Sequence, residues 1–171
     1  VVMTYVTMVE VAKESGQATS TLDPKNLAKM IARLPPGSYG KSVWVIGPDS
    51  LPALFTLSLG NYPIYLPQGG GVPALQGSPY GSLLGRPVMV TQHAEAFSSA
   101  GDVQLHDLSY YRTITKAGGI ETATSMHLFF DAGATAFRVT FRMDGAPKLK
   151  AAISQAKGSN TLSPFVRLGA R

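Results

Sequence analysis

The chain contains no cysteine, so disulfide bonds and thiolate metal sites are excluded. Charged residues are also scarce, at 15% of the 171 residues, whereas 44% are hydrophobic. A chain of this composition can fill a sizeable core, which excludes global disorder and favours one compact domain, alone or with a small extension. The apolar runs fall well short of the roughly 20 residues of a transmembrane helix, so we predict no contact with a membrane.

The N-terminal segment, VVMTYVTMVEVA, lacks the basic start and the small-residue cleavage site of a signal peptide. Its apolar residues alternate as they do in a β-strand. Because the chain opens on Val1 and not on methionine, we expect it to be a fragment whose natural N-terminal part is missing.

The formal net charge of +5 is unevenly distributed. Residues 1–130 are neutral, whereas residues 131–171 contain seven basic residues against Asp131 and Asp144. The basic residues are Arg138, Arg142, Lys148, Lys150, Lys157, Arg167 and Arg171. This asymmetry predicts either contact with a polyanion or an acidic partner, or a solvated basic face.

The local patterns predict separate helices and mostly sequential strands. TLDPKNLAKMIARLPPG predicts a helix that Asp23 caps, with an apolar stripe of Leu27, Met30, Ile31 and Leu34. SVWVIG predicts a fully buried strand. PDSLPALFTLSLG predicts a second helix, which begins at Asp49 or Ser50 and ends at Gly60. The resulting fold class is α+β.

Two further patterns concern strands and the turns that join them. In YGSLLGRPVMVTQ, Gly85 permits a tight turn before a strand, Val88–Val90, that we predict to be buried on both faces. Gly118 and Gly119 predict a hairpin between their flanking strands. TAFRVTFRM alternates, which places Phe137, Val139 and Phe141 on one face and Arg138, Thr140 and Arg142 on the other.

No pattern predicts a catalytic, cofactor or metal site. PPGSYGKS ends like a phosphate-binding loop, but Pro35 stands where that loop needs glycine, and a helix precedes it where a strand should. His93, His106 and His127 lack ligand-like spacing. Asp102 and Asp107, five residues apart, are weak candidates for a carboxylate pair. We therefore predict a protein that is not an enzyme and binds no cofactor.

Several segments together resemble the major capsid proteins of tailed bacteriophages. LPPGSYGKSVWVIGPDSLPALFTL is similar to the family's Leu-Pro-x-x-Tyr and Trp-x-x-x-Pro segment, and SLLGRPVMVT to its Leu-Leu-Gly-x-Pro-Val strand entry. The segment from GDVQLHDLSYY to TAFRVTFRMDG resembles a later block of the family, and KGSNTLSPFVRLGAR resembles a C-terminus of one subgroup. These motifs cover most of residues 20–171, in the family's order.

The resemblance implies a Hong Kong 97-like fold, with an axial-type domain at residues 20–128 and part of a peripheral-type domain at residues 1–19 and 129–171. It implies a self-assembling capsid subunit in a virion, formed in the host cytoplasm. Copies of the chain would form hexamers and pentamers, with scaffold, protease and portal proteins as further partners and packaged double-stranded DNA as a non-specific one. The loop at Gly69, Gly70 and Gly71 would lie at the capsomer axis. Arg138, Arg142, Lys148 and Lys150 would face other subunits or DNA.

Three alternatives remain open at the level of sequence. An encapsulin-like shell protein would have a related fold and a groove for cargo peptides. A non-specific DNA-binding module would use the basic C-terminal quarter, with an affinity that falls steeply with salt. A small hydrolytic or nucleotide-binding domain would bind a nucleotide or a divalent metal.

Overall fold

A computed structural model of the protein describes residues 7–66 and 81–171. Within these ranges the chain forms two α-helices, α1 (Pro24–Ala32) and α2 (Leu51–Phe55). The strands are β1 (Val9–Val11), β2 (Val43–Ile46), β3 (Ser58–Leu59), β4 (Tyr62–Pro63), β5 (Tyr65–Leu66), β6 (Ser82–Leu83), β7 (Arg86–Val90), β8 (Val103–His106), β9 (Tyr111–Thr115), β10 (Glu121–Phe129), β11 (Ala134–Thr140), β12 (Met143–Pro147), β13 (Ile153–Ser154), β14 (Thr161–Leu162) and β15 (Phe165–Leu168).

Seven strands form a mixed central sheet in the order β1-β15-β8-β2-β7-β6-β5. The pairs β1–β15 and β2–β7 are parallel, and the others are antiparallel. The C-terminal strand β15 lies inside this sheet, between β1 and β8. The sequence predicted one domain at residues 20–128 and a second from the remaining residues. Strands from both of these parts share the central sheet, and the division into two domains stays a prediction.

Helix α1 covers the core, and its sequence explains its bounds. The Asp23 carboxylate accepts a hydrogen bond from the Lys25 amide at 2.8 Å, and Pro24 occupies the first helical position. Leu27 and Met30 are fully buried in the same cluster as Trp44 of β2. The predicted helix and its apolar stripe are thus confirmed.

Two predicted buried strands are buried on one face only. In β2, Trp44 and Ile46 are buried, whereas Val43 and Val45 are half-buried. In β7, Val88 is buried, but Met89 is 43% exposed. The prediction was wrong on this point because continuous apolar runs do not reveal whether a second layer covers the sheet.

The second helix is shorter than predicted. It ends at Phe55. Strand β3 follows, and Gly60 lies in the turn that joins β3 to β4. The turn at Gly60 has a φ of +64°, which suits glycine and closes a two-residue hairpin in place of ending a helix.

The predicted turn at Gly85 is confirmed. Leu84 and Gly85 have φ values of +49° and +75° and join β6 to β7. The Leu83 carbonyl accepts a hydrogen bond from Trp44 Nε1 at 2.9 Å, and the Leu84 carbonyl accepts one from the Tyr39 hydroxyl at 2.5 Å. The turn is therefore fixed to the core from both sides.

Residues 111–147 form a two-stranded antiparallel arm, here called the ribbon. Strand β9 pairs with β12, and β10 pairs with β11. Between these pairs, residues 116–120 lie opposite Phe141 and Arg142, and the Lys116 amide donates to the Arg142 carbonyl at 3.1 Å.

The predicted hairpin at Gly118 and Gly119 is wrong in its pairing. Both glycines have positive φ, at +101° and +64°, and the Gly119 amide donates to the Lys116 carbonyl at 3.2 Å. The turn exists, but β9 and β10 pair with later strands and not with each other. A local turn signal does not select the partner when a longer antiparallel return is available.

Candidate assembly interface

The ribbon carries ten large apolar side chains that are between 49% and 82% exposed. They are Ile114, Ile120, Met126, Leu128, Phe129, Phe130, Phe137, Val139, Phe141 and Met143. So many exposed large apolar side chains in one part of a chain indicate a site of protein association. The ribbon is therefore the main candidate interface.

The strand register separates apolar from basic residues in the distal part of the ribbon. Phe137 lies opposite Thr124 and Val139 opposite Thr122, and directly opposed residues share a face. Arg138 lies opposite Ala123 on the other face. The strand carries the alternation that the sequence predicted for Phe137, Arg138 and Val139.

The four predicted basic residues are all exposed, but their settings differ. Arg138 is in β11, Arg142 lies between β11 and β12, and Lys150 lies beyond β12. The Lys148 ammonium donates to the Ser109 carbonyl at 2.6 Å, and the Lys148 amide donates to the Tyr110 carbonyl at 2.8 Å. Lys148 therefore joins the end of β12 to the short 3-10 helix, Leu108–Tyr110, that directly precedes β9.

A shallow groove of about 380 Å³ lies along the base of the ribbon. Its lining combines the apolar Ile114 with Arg112, Asp144 and Lys148. A lining that combines apolar side chains with charges of both signs is suited to a protein contact.

Tyr111 packs across the ribbon onto Gly145. A β-carbon at Gly145 would lie 2.6 Å from Tyr111 Cε1 and 2.8 Å from its hydroxyl oxygen. The missing side chain thus makes room for the aromatic ring, which covers an otherwise bare stretch of β12.

A buried ion pair closes the core domain, and no sequence pattern predicted it. Arg171 Nη1 and Nη2 lie 2.8 Å and 2.5 Å from the two carboxylate oxygens of Asp102, and both side chains are fully buried. Arg171 Nε also donates to the Thr21 carbonyl at 2.6 Å, and the Ser98 amide donates to Asp102 at 3.0 Å. The partners are 69 residues apart, and nothing local links them.

Two of the predicted basic residues of the C-terminal quarter are engaged within the chain. Arg171 is buried against Asp102, and Arg167 lies 2.6 Å from the Glu10 carboxylate. Arg171 is therefore not available for the contact with a polyanion or an acidic partner that the charge distribution predicted.

Asp102 and Asp107 do not form a carboxylate pair. Asp107 caps a short 3-10 helix, where its carboxylate accepts from the Ser109 amide at 3.0 Å and from the Ser109 hydroxyl at 2.6 Å. Burial raises the pKa of Asp107, but the hydrogen bonds from Ser109, the nearby Ser38 hydroxyl and the charge of Lys41 outweigh it, so that the pKa lies below its usual range.

His106 is a core residue of β8. Its Nε2 lies 2.6 Å from Gln104 Oε1, and its ring packs on Phe165. Burial lowers the pKa of His106 to about 4, so that the imidazole is neutral at pH 7. Among residues 7–66 and 81–171, no cluster of His, Asp and Glu could hold a metal ion.

Gly69, Gly70 and Gly71 lie outside the described residues, so the predicted loop at a capsomer axis stays a prediction. In the part of the chain that the structure describes, no helix is both long and apolar enough to cross a membrane.

The fold is that of a capsid subunit. The solved structure "Capsid of empty GTA particle computed with C5 symmetry" is similar to this chain with a TM-score of 0.63 at 13% identity. The match covers 95% of this chain and 50% of that one, so the chain spans half the length of the capsid protein it matches. This likeness gives the chain a capsid-type α+β fold.

The model of the phage capsid family matches residues 2–158. The chain therefore belongs to the phage capsid family, as the sequence motifs indicated. A search of curated proteins returned no match. Membership of this family points to a structural protein.

Proposed function

We propose that the chain is a structural subunit of a phage or prophage icosahedral capsid with a Hong Kong 97-like fold, which assembles into capsomers and a shell around double-stranded DNA. The observation that carries the proposal is the ribbon, with its ten exposed large apolar side chains. Together with membership of the capsid family, it supports a protein whose function lies in contacts between subunits.

The described part of the chain leaves the large apolar side chains of the ribbon uncovered. A two-stranded sheet is at best marginally stable alone in water, and its apolar side chains gain from burial in a partner. A ribbon that projects from a rigid sheet can place that apolar surface against neighbouring copies.

The basic residues of the ribbon belong to the same proposal. Arg138, Arg142 and Lys150 pair with carboxylates of neighbouring subunits or face packaged DNA through its phosphates, without reading its sequence. Lys148, which donates to the Ser109 carbonyl, holds the ribbon in place for them. Scaffold, protease and portal proteins are further partners, and assembly takes place in the host cytoplasm before the subunit becomes part of the virion.

Negative-stain microscopy of the full-length gene product, expressed with its neighbouring scaffold and protease genes, tests the proposal. We expect hexamers, pentamers or closed shells. A monomer that persists under these conditions contradicts it, and shells that package a protein cargo through a bound peptide favour an encapsulin-like protein.

A salt titration of DNA binding separates the roles of the arginines. If Arg138 and Arg142 contact phosphates, the double variant Arg138→Ala/Arg142→Ala loses about two units of the salt-dependence slope and keeps its assembly. If they pair with other subunits, the double variant assembles less well and its DNA binding is unchanged. High-affinity binding of a nucleotide or divalent metal in calorimetry instead favours the hydrolytic alternative.

A further inference from the structure

Two segments that are distant in sequence enclose the side chain of Arg171. They are residues 20–21, which lie between β1 and α1, and residues 97–102, which lie between β7 and β8. Arg171 is 5% exposed, whereas Ser20 and Thr21 are exposed, so the guanidinium lies in a pocket close to the surface.

Every nitrogen of the Arg171 guanidinium has a partner in this pocket. Nη1 and Nη2 donate to the two Asp102 carboxylate oxygens at 2.8 Å and 2.5 Å, and Nε donates to the Thr21 carbonyl at 2.6 Å. The guanidinium also lies over the Phe97 ring, 5.3 Å from its centroid. A carboxylate that accepts two parallel hydrogen bonds matches a planar guanidinium, and the compact ammonium of lysine cannot make the same pair. The pocket therefore recognises the shape of a guanidinium as well as its charge.

The pocket is held in place by contacts that do not involve the Arg171 side chain. The Asp102 carboxylate accepts a hydrogen bond from the Ser98 amide at 3.0 Å. The Asp102 backbone is fixed from both sides, since its amide donates to the Ser99 carbonyl at 3.3 Å and its carbonyl accepts from the Gly47 amide at 3.1 Å. We therefore expect the carboxylate to keep its direction when the guanidinium is removed.

Two residues of the pocket have an unfavourable backbone conformation. Ser20 and Ser98 have φ values of +58° and +75°, in the left-handed region that favours glycine. Both contact the backbone of Arg171, because the Ser20 amide donates to its carbonyl at 3.4 Å and the Ser98 carbonyl accepts from its amide at 3.0 Å. Backbone strain of this kind concentrates at sites that hold a ligand.

Asp102 supplies the driving force for binding a cation. Its side chain is fully buried, and the guanidinium of Arg171 is the cation that offsets its charge. A carboxylate that is buried without its partner is strongly unfavourable, so an empty pocket gains by taking up a cation that fits. The two parallel hydrogen bonds then select a guanidinium among the cations.

We propose that residues 20–21 and 97–102 form a binding site for a monosubstituted guanidinium, of which an arginine side chain is one example. Arg171 fills the site within the chain, and a guanidinium from another molecule fills it when the Arg171 side chain is absent. An occupied site joins the segment before α1 to the segment before β8. The proposal concerns the central sheet and is independent of shell assembly.

Chemical rescue of Arg171→Ala in the full-length protein tests the proposal, with ethylguanidinium as the ligand. Ethylguanidinium reproduces the end of an arginine side chain, and propylammonium, a cation of similar size, is the matched control. We expect millimolar ethylguanidinium to raise the melting temperature of the variant by a few degrees and to saturate, because it binds the folded state. Propylammonium should have no such effect, and the wild type, whose site is filled, should gain from neither.

The double variant Arg171→Ala/Asp102→Asn is the second control. Asparagine keeps the shape of the carboxylate and removes its charge, so ethylguanidinium should no longer stabilise the protein. The proposal is overturned if ethylguanidinium fails to rescue Arg171→Ala. It is equally overturned if propylammonium rescues as well, or if the double variant responds like the single one.

If Arg171→Ala does not fold alone, refolding from urea in the presence of each cation replaces the melting experiment. We then expect folded protein with ethylguanidinium and none with propylammonium, and an unfolded chain with both contradicts the proposal. Hydrogen exchange provides an independent measurement of the site. Residues 97–102 should exchange more slowly once the ligand is bound, and unchanged exchange there contradicts binding at this place.

Discussion

The central sheet and the ribbon contain similar apolar residues, but the sheet buries them and the ribbon leaves them exposed. Trp44, Leu105 and Val166 of the sheet are fully buried, whereas Phe130 and Ile114 of the ribbon are among the most exposed side chains. The sheet has seven strands and a helix packed on it, whereas the ribbon is only two strands wide and has no cover among the described residues. The sheet therefore supplies stability, and the ribbon leaves its apolar side chains exposed for the contacts between copies that we propose.

The difference also appears in the charged residues. The buried pair Asp102–Arg171 ties the C-terminal residue to the segment before β8, while the exposed pair Lys116–Glu121 spans residues 117–120 of the ribbon at 2.7 Å. Both are ion pairs between a basic side chain and a carboxylate, but the first is buried within the fold and the second is exposed to solvent. Four changes test how far this division of labour holds.

The largest effect is expected at the buried ion pair. Asp102→Ala leaves the Arg171 guanidinium buried without its partner, which lowers the free energy of unfolding by about 3–5 kcal/mol. Urea denaturation measures it. Glu10→Gln, which removes the exposed partner of Arg167, is the control and costs at most about 1 kcal/mol. Equal effects of the two variants would falsify the distinction.

One pair of leucine truncations compares the regions directly. Leu105→Ala creates a cavity in the sheet and costs about 2–5 kcal/mol, whereas Leu128→Ala in the ribbon changes the stability of the free subunit by about 0.5 kcal/mol or less. Thermal unfolding gives both values. In an assembly assay, by contrast, we expect Leu128→Ala to have a clear effect, because it removes apolar surface from the ribbon. A large loss of stability from Leu128→Ala means that the ribbon packs on something within the free chain.

The buried histidine predicts a dependence on pH that belongs to the sheet. His106 has a pKa of about 4 when folded and of 6.5 when exposed, so the unfolded chain binds the proton first. The contribution of His106 to the free energy of unfolding is constant above about pH 7. It falls by about 3 kcal/mol as the pH falls from 6.5 to 4, and it is constant again below that pH.

Denaturation of the wild type and of His106→Gln across this range measures the contribution. The variant should lose the slope between pH 6.5 and 4, while the loss due to Asp107 begins only near pH 4 and below, because its folded pKa is lowered. An unchanged slope in the variant shows that other groups cause it.

The smallest effect on the whole subunit is expected at the base of the ribbon. Gly145→Ala places a methyl group against the Tyr111 ring, which must move away, and this destabilises the β9–β12 pair by about 1 kcal/mol. Hydrogen exchange should rise in the ribbon and not in the central sheet. Gly37→Ala, whose β-carbon meets nothing within 4 Å, is the control, and Tyr111→Ala in the Gly145→Ala background should relieve the clash.

Sequence reasoning succeeded where the signal is local. The cap at Asp23, the apolar stripe of α1 and the turn at Gly85 each depend on residues within one or two turns of chain, and all three are confirmed. The motifs likewise identified the phage capsid family. Burial and pairing were less well predicted, because Met89 and the strands around Gly118 depend on distant segments.

By itself, the sequence determined the α+β class, the first helix, the tight turns and the family, because propensity, capping and turn chemistry act between near neighbours. Only the tertiary structure decided that β9 pairs with β12, that Arg171 reaches Asp102, and that the apolar residues of the ribbon stay exposed. Each of these depends on segments tens of residues apart. Loop closure and packing determine which segments pair at that distance, and local sequence patterns do not predict it.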